Sequence, residues 1–217
     1  MSIYKGSSLI RESGSYGVYH GSTAIKSIYK GSTLLYNFTA YTPGQILFEN
    51  SAPGTYSLKI DSTVNLSVIL VGGGGGGAHS DSYGQWSNNQ NGGSGGMITG
   101  TATINAGTYT IVVGGAGVGK TSSSGGGGAT SQGTAGGDSS FNGNIAKGGG
   151  GAYTHTGWFD SQGSAGGGGG TTVVTAGLTG SNGTNGSTTS RYGSYGAGGG
   201  SAANGQVGYV KITVSSV

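Results

Sequence analysis

Runs of glycine constrain this chain more than any other feature. Residues 72–77 are six consecutive glycines, and further runs fall at 92–96 with one Ser, 114–119 mixed with Ala and Val, 125–128, 148–151, 166–170, and 196–200 with one Ala. Of the 54 glycines in 217 residues, 47 follow Val71, which marks a compositional boundary there. Glycine loses more backbone entropy on folding than any other residue, so such runs order only if something other than side-chain packing holds them. With 32% hydrophobic residues the chain is not expected to build a conventional hydrocarbon core.

The polyproline II helix meets this requirement. It has three residues per turn and no internal hydrogen bonds, so every N–H and C=O points sideways. Glycine strands in that conformation pack closely because no Cβ intervenes, and each backbone group can bond a neighbour. Collagen is excluded, since it needs glycine at every third position and abundant proline, and this chain has 2 prolines. Linker-like disorder is the bland alternative. The β segments that bracket the runs argue against it.

Those segments read as strands from their alternation of apolar and polar residues. Ala52 to Ile60 (APGTYSLKI) resembles Asn105 to Val113 (NAGTYTIVV), and Val64 to Val71, Met97 to Ile104 and Val207 to Val214 follow the same rule. The last strand is expected to pair with the early ones and close the domain. Upstream, an eight-residue unit occurs three times: IYKGSSLI from Ile3, VYHGSTAI from Val18 and IYKGSTLL from Ile28. Each is an apolar pair, a Gly-Ser turn at Gly6, Gly21 or Gly31, and a second apolar pair, which predicts a β-meander of about four short strands. The fold expected is all-β and irregular with essentially no α-helix: a meander, a small β frame and a packed bundle of polyglycine II helices. Residues 1–40 form an attachment region and 41–217 the glycine-rich domain. So small a meander needs a partner for its apolar face, with Tyr4, Tyr19, Tyr29 and Tyr36 as its candidate contacts.

Composition narrows the function. The net charge of +3 comes from singly scattered residues, without the clustering that nucleic-acid binding needs. The absence of cysteine rules out disulfides and thiolate metal sites. No apolar run approaches the roughly 18 residues of a membrane span. Gly114 to Thr121 (GGAGVGKT) matches the phosphate-binding pattern G-x-x-x-x-G-K-[ST], but a P-loop must open a helix, and three serines and four glycines follow it. The 3 histidines and 6 acidic residues show no metal-ligand or paired-carboxylate spacing. No catalytic group, cofactor or metal is expected, and the chain does not read as an enzyme.

The aromatic residues point elsewhere. Tyr83 and Trp86, then Tyr153, His155, Trp158 and Phe159, then Arg191, Tyr192 and Tyr195 occupy three segments between glycine runs, where loops are expected. Exposed Tyr, Trp and Arg dominate binding hot spots. Loops 78–91, 152–162 and 187–195 are expected at one end of the bundle, where they would pool these side chains in one patch.

The glycine runs from Gly72 to Gly200, alternating with polar and aromatic stretches and ending in a strand, resemble the distal long-tail-fibre adhesins of T-even-type phages. The resemblance covers roughly residues 52–217. It implies a layered polyglycine II bundle, terminal loops that select a bacterial surface receptor (outer-membrane protein or glycan), and an N-terminal part seated on a trimeric fibre tip. The IYKGST-type repeats instead resemble short N-terminal repeats of other phage tail and fibre proteins. Together these resemblances imply a virion protein of the tail fibre or tail tip, bound to a fibre or tail protein through its N-terminus and to the receptor through its loops, without nucleic acid or membrane insertion. A glycine-rich structural or antifreeze-type protein is the alternative.

Overall fold

A computed structural model describes residues 41–82, 86–124, 128–157 and 160–216, and the backbone of the strand segments within 3–37. Among the described residues all regular structure is β. In chain order the strands are β1 (Ile3–Lys5), β2 (Ser8–Glu12), β3 (Val18–His20), β4 (Thr23–Ala24), β5 (Ser27–Lys30), β6 (Thr33–Asn37), β7 (Ile46–Asn50), β8 (Gly54–Ile60), β9 (Val64–Val71), β10 (Ala78–Ser82) and β11 (Trp86–Gln90). Next come β12 (Met97–Ile104), β13 (Gly107–Val113), β14 (Lys120–Ser124), β15 (Ala129–Gln132), β16 (Ser139–Phe141), β17 (Asn144–Ala146), β18 (Tyr153–Thr156), β19 (Ser161–Ser164), β20 (Thr171–Thr172), β21 (Leu178–Ser181) and β22 (Tyr209–Ser216).

Each N-terminal repeat folds into an antiparallel pair with the same register, Tyr4 opposite Leu9, Tyr19 opposite Ala24 and Tyr29 opposite Leu34. β1 to β4 form one sheet and β5–β6 a separate pair that also sets Tyr36 against Ile28, six strands rather than the four expected. The turn glycines Gly6, Gly21 and Gly31 lie outside the described residues.

Two five-stranded sheets, β21-β12-β9-β22-β7 and β20-β17-β16-β13-β8, pack face to face as a sandwich base. β9 shows why: Val64, Leu66, Val68 and Leu70 alternate inward, and Ile98, Ile111, Phe141, Val210 and Ile212 meet them, all buried. The expectation of no hydrocarbon core is therefore corrected. The apolar residues are few but concentrated in these strands, and each fully buried aliphatic stabilises by about 1.5–3 kcal/mol. The closing strand lies where expected, β22 pairing with both β9 and β7.

The glycine runs form the layer above the sandwich and are held by backbone bonds. Along 72–77 the N–H groups of Gly72 and Gly75 donate to Gly96 and Gly93, those of Gly73 and Gly76 to Gly137 and Thr134, and those of Gly74 and Gly77 to Gln206 and Ala203. The carbonyls repeat the rule, Gly73 and Gly76 accepting from Gly149 and Ala152, Gly74 and Gly77 from Gly117 and Lys120, and Gly75 from Gly199. Partners recur every third residue, the period of a three-residue-per-turn helix. The central run thus has six neighbours, and these bond one another around it in a closed ring: 92–96, 147–152, 133–137, 114–119, 203–208 and 196–200. Segments 166–170 and 183–186 add an outer edge. At the rim side chains finish the pattern, Asp138 accepting from the Gly148 amide, Asn185 from Gly168 and Asn204 from Gly119.

Close approach explains the composition. A Cβ placed on Gly74 would overlap the carbonyl of Ala197, and the other five glycines of the run meet backbone carbonyls in the same way. The constraint is not uniform across the layer, and a Cβ on Gly200, at the end of run 196–200, would meet nothing within 4 Å. Gly74→Ala is therefore expected to cost about 2 kcal/mol or more, and Gly200→Ala less than about 0.5 kcal/mol. Urea denaturation of the two variants beside the parent checks this, with unchanged midpoints for Gly74→Ala as the contrary result.

Candidate recognition surface

Beyond the glycine layer, at the end away from the sandwich, chains that are bonded as glycine runs emerge as strand pairs. Run 72–77 leads into β10 and run 92–96 is entered from β11; the runs are bonded and so are the strands, His79 opposite Asn89. Run 114–119 leads into β14, which pairs with β10 in parallel. Runs 133–137, 147–152 and 166–170 deliver β15, β18 and β19 in the same way. The segments 78–91 and 152–162, expected as loops, are therefore antiparallel pairs. Their Ser, Asn and Thr content hides the strands from a propensity reading, but the glycine layer supplies the spacing that a β ladder needs.

The resulting sheets, β11-β10-β14 and β15-β18-β19, lie against each other, with small side chains at the centre and Asn88 and Gln90 of β11 against Gly163 of β19. Ala78, Ser80, Ser82, Ala129, Ser131, Thr154 and Thr156 are buried between them. Strands across this interface approach to within 8 Å, nearer than the roughly 10 Å of ordinary stacked sheets. Within it the Ser80, Ser131 and Thr154 hydroxyls are buried without a hydrogen-bond partner among the described residues, an arrangement that costs about 1–3 kcal/mol each. This tip is held by the glycine layer beneath it and not by a core of its own.

Its outer faces carry the candidate side chains. On β18 Tyr153 is exposed and His155 half-buried, the imidazole Nδ1 lying 3.0 Å from the Thr130 hydroxyl and Nε2 4.0 Å from Asp160. Gln132 stands opposite Tyr153 across β15, and Gln162 opposite His155 across β19. On the other sheet His79 Nδ1 bonds Asn89 Oδ1 at 2.7 Å, and the Ser201 hydroxyl also reaches Asn89. Trp86 begins β11 and so belongs to this end by its strand position. Tyr83, Trp158 and Phe159 lie outside the described residues. The sequence reading missed Thr130, Gln132 and Gln162. The signal that could have found the first two is the alternation of small and larger residues in Ala129-Thr130-Ser131-Gln132.

Arg191, Tyr192 and Tyr195 do not join this surface. After the 183–186 segment the chain returns to the sandwich end, where Arg191 Nη2 donates to the Ser181 carbonyl and hydroxyl. Tyr192 and Tyr195 stack on Tyr209 with ring centroids 5.4 and 4.5 Å away. The expected single patch uniting Tyr192 with the 78–91 and 152–162 segments is thus corrected, because 187–195 spans the full height of the glycine layer before the next run begins. The buried Tyr209 hydroxyl donates to Glu49, which also pairs with Lys211 at 3.3 Å.

Burial, reinforced by the bond to Glu49, pushes the Tyr209 hydroxyl well above its ordinary value of 10.0. The same bond, with help from Lys211, holds Glu49 below its ordinary value. A tyrosine raised in the fold stabilises it fully below the unfolded value, and that contribution fades as pH climbs from there toward the folded value.

Gly114 to Thr121 is also accounted for. Five of its amides are committed to the glycine layer and its rim, Gly114 donating to Ser139, Gly117 to Gly74, Val118 to Thr134, Gly119 to Asn204 and Lys120 to Gly77, and its last two residues, Lys120 and Thr121, open strand β14. These amides do not form a phosphate cradle.

A family model described as a glycine-rich domain matches residues 50–214, so the chain belongs to that family. No curated protein matches the chain. One prediction rests on the buried Tyr209 hydroxyl and its bond to Glu49: melting temperatures taken from about pH 9 to about pH 11 should fall more steeply for the parent than for Tyr209→Phe. Parallel curves would contradict the assignment.

Proposed function

We propose that this member of the glycine-rich domain family is the receptor-binding tip adhesin of a bacteriophage tail fibre, carried in the virion and recognising a bacterial surface receptor through its tip. The observation that carries the reading is the convergence of 78–90 and 153–164 at the end remote from the sandwich. There an exposed tyrosine, two imidazoles and several amides lie on strands whose fully buried positions are Ala, Ser and Thr. Such an outer surface can change without disturbing a core, because the glycine layer fixes the strands. Rigid aromatics with amides around them suit recognition of a protein or glycan surface.

Residues 1–40 serve attachment in this proposal. Three hairpins of equal register in so short a stretch are too small a sheet to be stable alone, and a fibre or tail protein would cover them, with Tyr4, Tyr19, Tyr29 and Tyr36 as the contacts. The tip residues Tyr83, Trp86, Tyr153, His155, Trp158 and Phe159 carry receptor binding. Arg191, Tyr192 and Tyr195 support the sandwich end. Recognition at this tip involves no catalytic step, cofactor or metal.

Adsorption to host cells tests it. Truncating an aromatic anchor costs about 2 kcal/mol or more, on the order of thirtyfold in affinity. Trp86→Ala, Trp158→Ala or Tyr153→Ala should abolish or retarget adsorption with the fold intact, whereas Tyr192→Ala should lower stability and spare adsorption. Unchanged adsorption in all three tip variants, singly and combined, would contradict the proposal and favour a glycine-rich structural or antifreeze-type role, for which an ice-recrystallisation assay is the next measurement.

A further inference from the structure

The chain contains five Asn-Gly bonds, at 91–92, 142–143, 182–183, 185–186 and 204–205. Asn-Gly is the dipeptide most prone to spontaneous deamidation, because a glycine amide meets little steric hindrance in attacking the preceding side chain. The reaction needs that nitrogen free to lose its proton and swing onto the asparagine Cγ. In four of the five bonds it is not free. The amides of Gly92, Gly183, Gly186 and Gly205 donate to the carbonyls of Gly199, Gly169, Gly166 and Gly117 at 2.7–2.9 Å. The asparagine side chains are tied as well, Asn185 and Asn204 accepting from the Gly168 and Gly119 amides, Asn182 from the Thr171 hydroxyl, and Asn91 donating to the Gly186 carbonyl.

The fifth bond differs. Asn142 and Gly143 form the two-residue loop between β16 and β17, with Phe141 paired to Asn144 and both loop residues at positive φ, 48° and 75°. This is the type I′ hairpin that Asn-Gly favours, in which the second loop residue makes no ladder bond. Among the described residues the Gly143 amide has no acceptor, and Gly143 is exposed. Among the described residues the Asn142 side-chain nitrogen reaches only the Thr175 hydroxyl, at 3.5 Å, the outer limit of a hydrogen bond.

We propose that Asn142 is the deamidation site of the folded protein, and that the glycine lattice shields the other four. The Gly143 nitrogen gives its proton to solvent base and bonds to Asn142 Cγ, the side-chain nitrogen leaves as ammonia, and a succinimide ring closes. Water then opens the ring. Cleavage of the new Cγ–N bond leaves aspartate, and cleavage at the former backbone carbonyl leaves isoaspartate, with the chain now routed through Cβ. The net change is amide plus water to acid plus ammonia, with no redox step. Isoaspartate lengthens the loop by one backbone atom, where β16 and β17 fix the entry of segments 133–137 and 147–152 into the lattice.

Incubating the full chain in mildly alkaline buffer and digesting with trypsin tests this, because cleavage after Lys59, Lys120, Lys147, Arg191 and Lys211 places Asn91, Asn142 and Asn204 in separate peptides, with Asn182 and Asn185 in a fourth. An Asn142→Asp variant marks the elution of the aspartate product. Peptide 121–147 should gain acid and isoaspartate forms about tenfold or more faster than the other three, which react only through opening of the lattice. In urea the four peptides should react at similar rates. Folded-state rates at the other sites within a few-fold of Asn142, or an unreactive Asn142 in the folded chain beside a reactive one in urea, would overturn it.

Discussion

The fold depends on hydrogen bonds between glycine backbones. Each N–H···O=C bond contributes modestly, about 0.5–1.5 kcal/mol net, but an unmade one in a buried layer costs about 1–3 kcal/mol. The central run satisfies its donors through three neighbours and its acceptors through three others, and those six neighbours bond in a ring. Along the central run this arrangement leaves no room for a Cβ atom. Glycine is required here for closeness, and the entropy lost in ordering it is offset by bonds that no side chain could make.

From this layer both ends of the domain follow. Runs bonded to each other emerge as strands bonded to each other: 72–77 with 92–96 gives β9–β12 on one side and β10–β11 on the other. Runs 114–119 and 133–137 likewise join β13–β16, and 147–152 with 166–170 joins β17–β20 and β18–β19. The layer acts as a template of strand order. At the sandwich end Val, Ile and Leu add a hydrocarbon core to that order, whereas at the tip Ala, Ser and Thr add little. The tip is thereby separated from the part that keeps the domain folded.

Much of the frame was legible from residue order. Val64 to Val71 alternates in hydrophobicity and is strand β9, and the Gly-Thr-Tyr segments became the paired strands β8 and β13. The glycine runs, bracketed by β segments, announced a backbone-bonded layer. The tip was not legible, because Ala78 to Ser82 and Ala129 to Gln132 lack the branched and aromatic residues that mark strands, and their pairing is imposed by the layer below. Nor could local sequence show that 187–195 doubles back: Arg191, Tyr192 and Tyr195 look like an exposed recognition loop, yet Tyr209, a partner distant in sequence, claims both rings.

Native-state amide hydrogen exchange, read residue by residue by NMR, tests the central claim most directly. Amides of Gly73 to Gly76, each bonded within the six-neighbour ring, should exchange as slowly as those of Leu66 to Leu70 in β9, only through global opening. If the glycine amides exchange at the rate of an unfolded chain while β9 stays protected, the layer is not the element on which the fold depends.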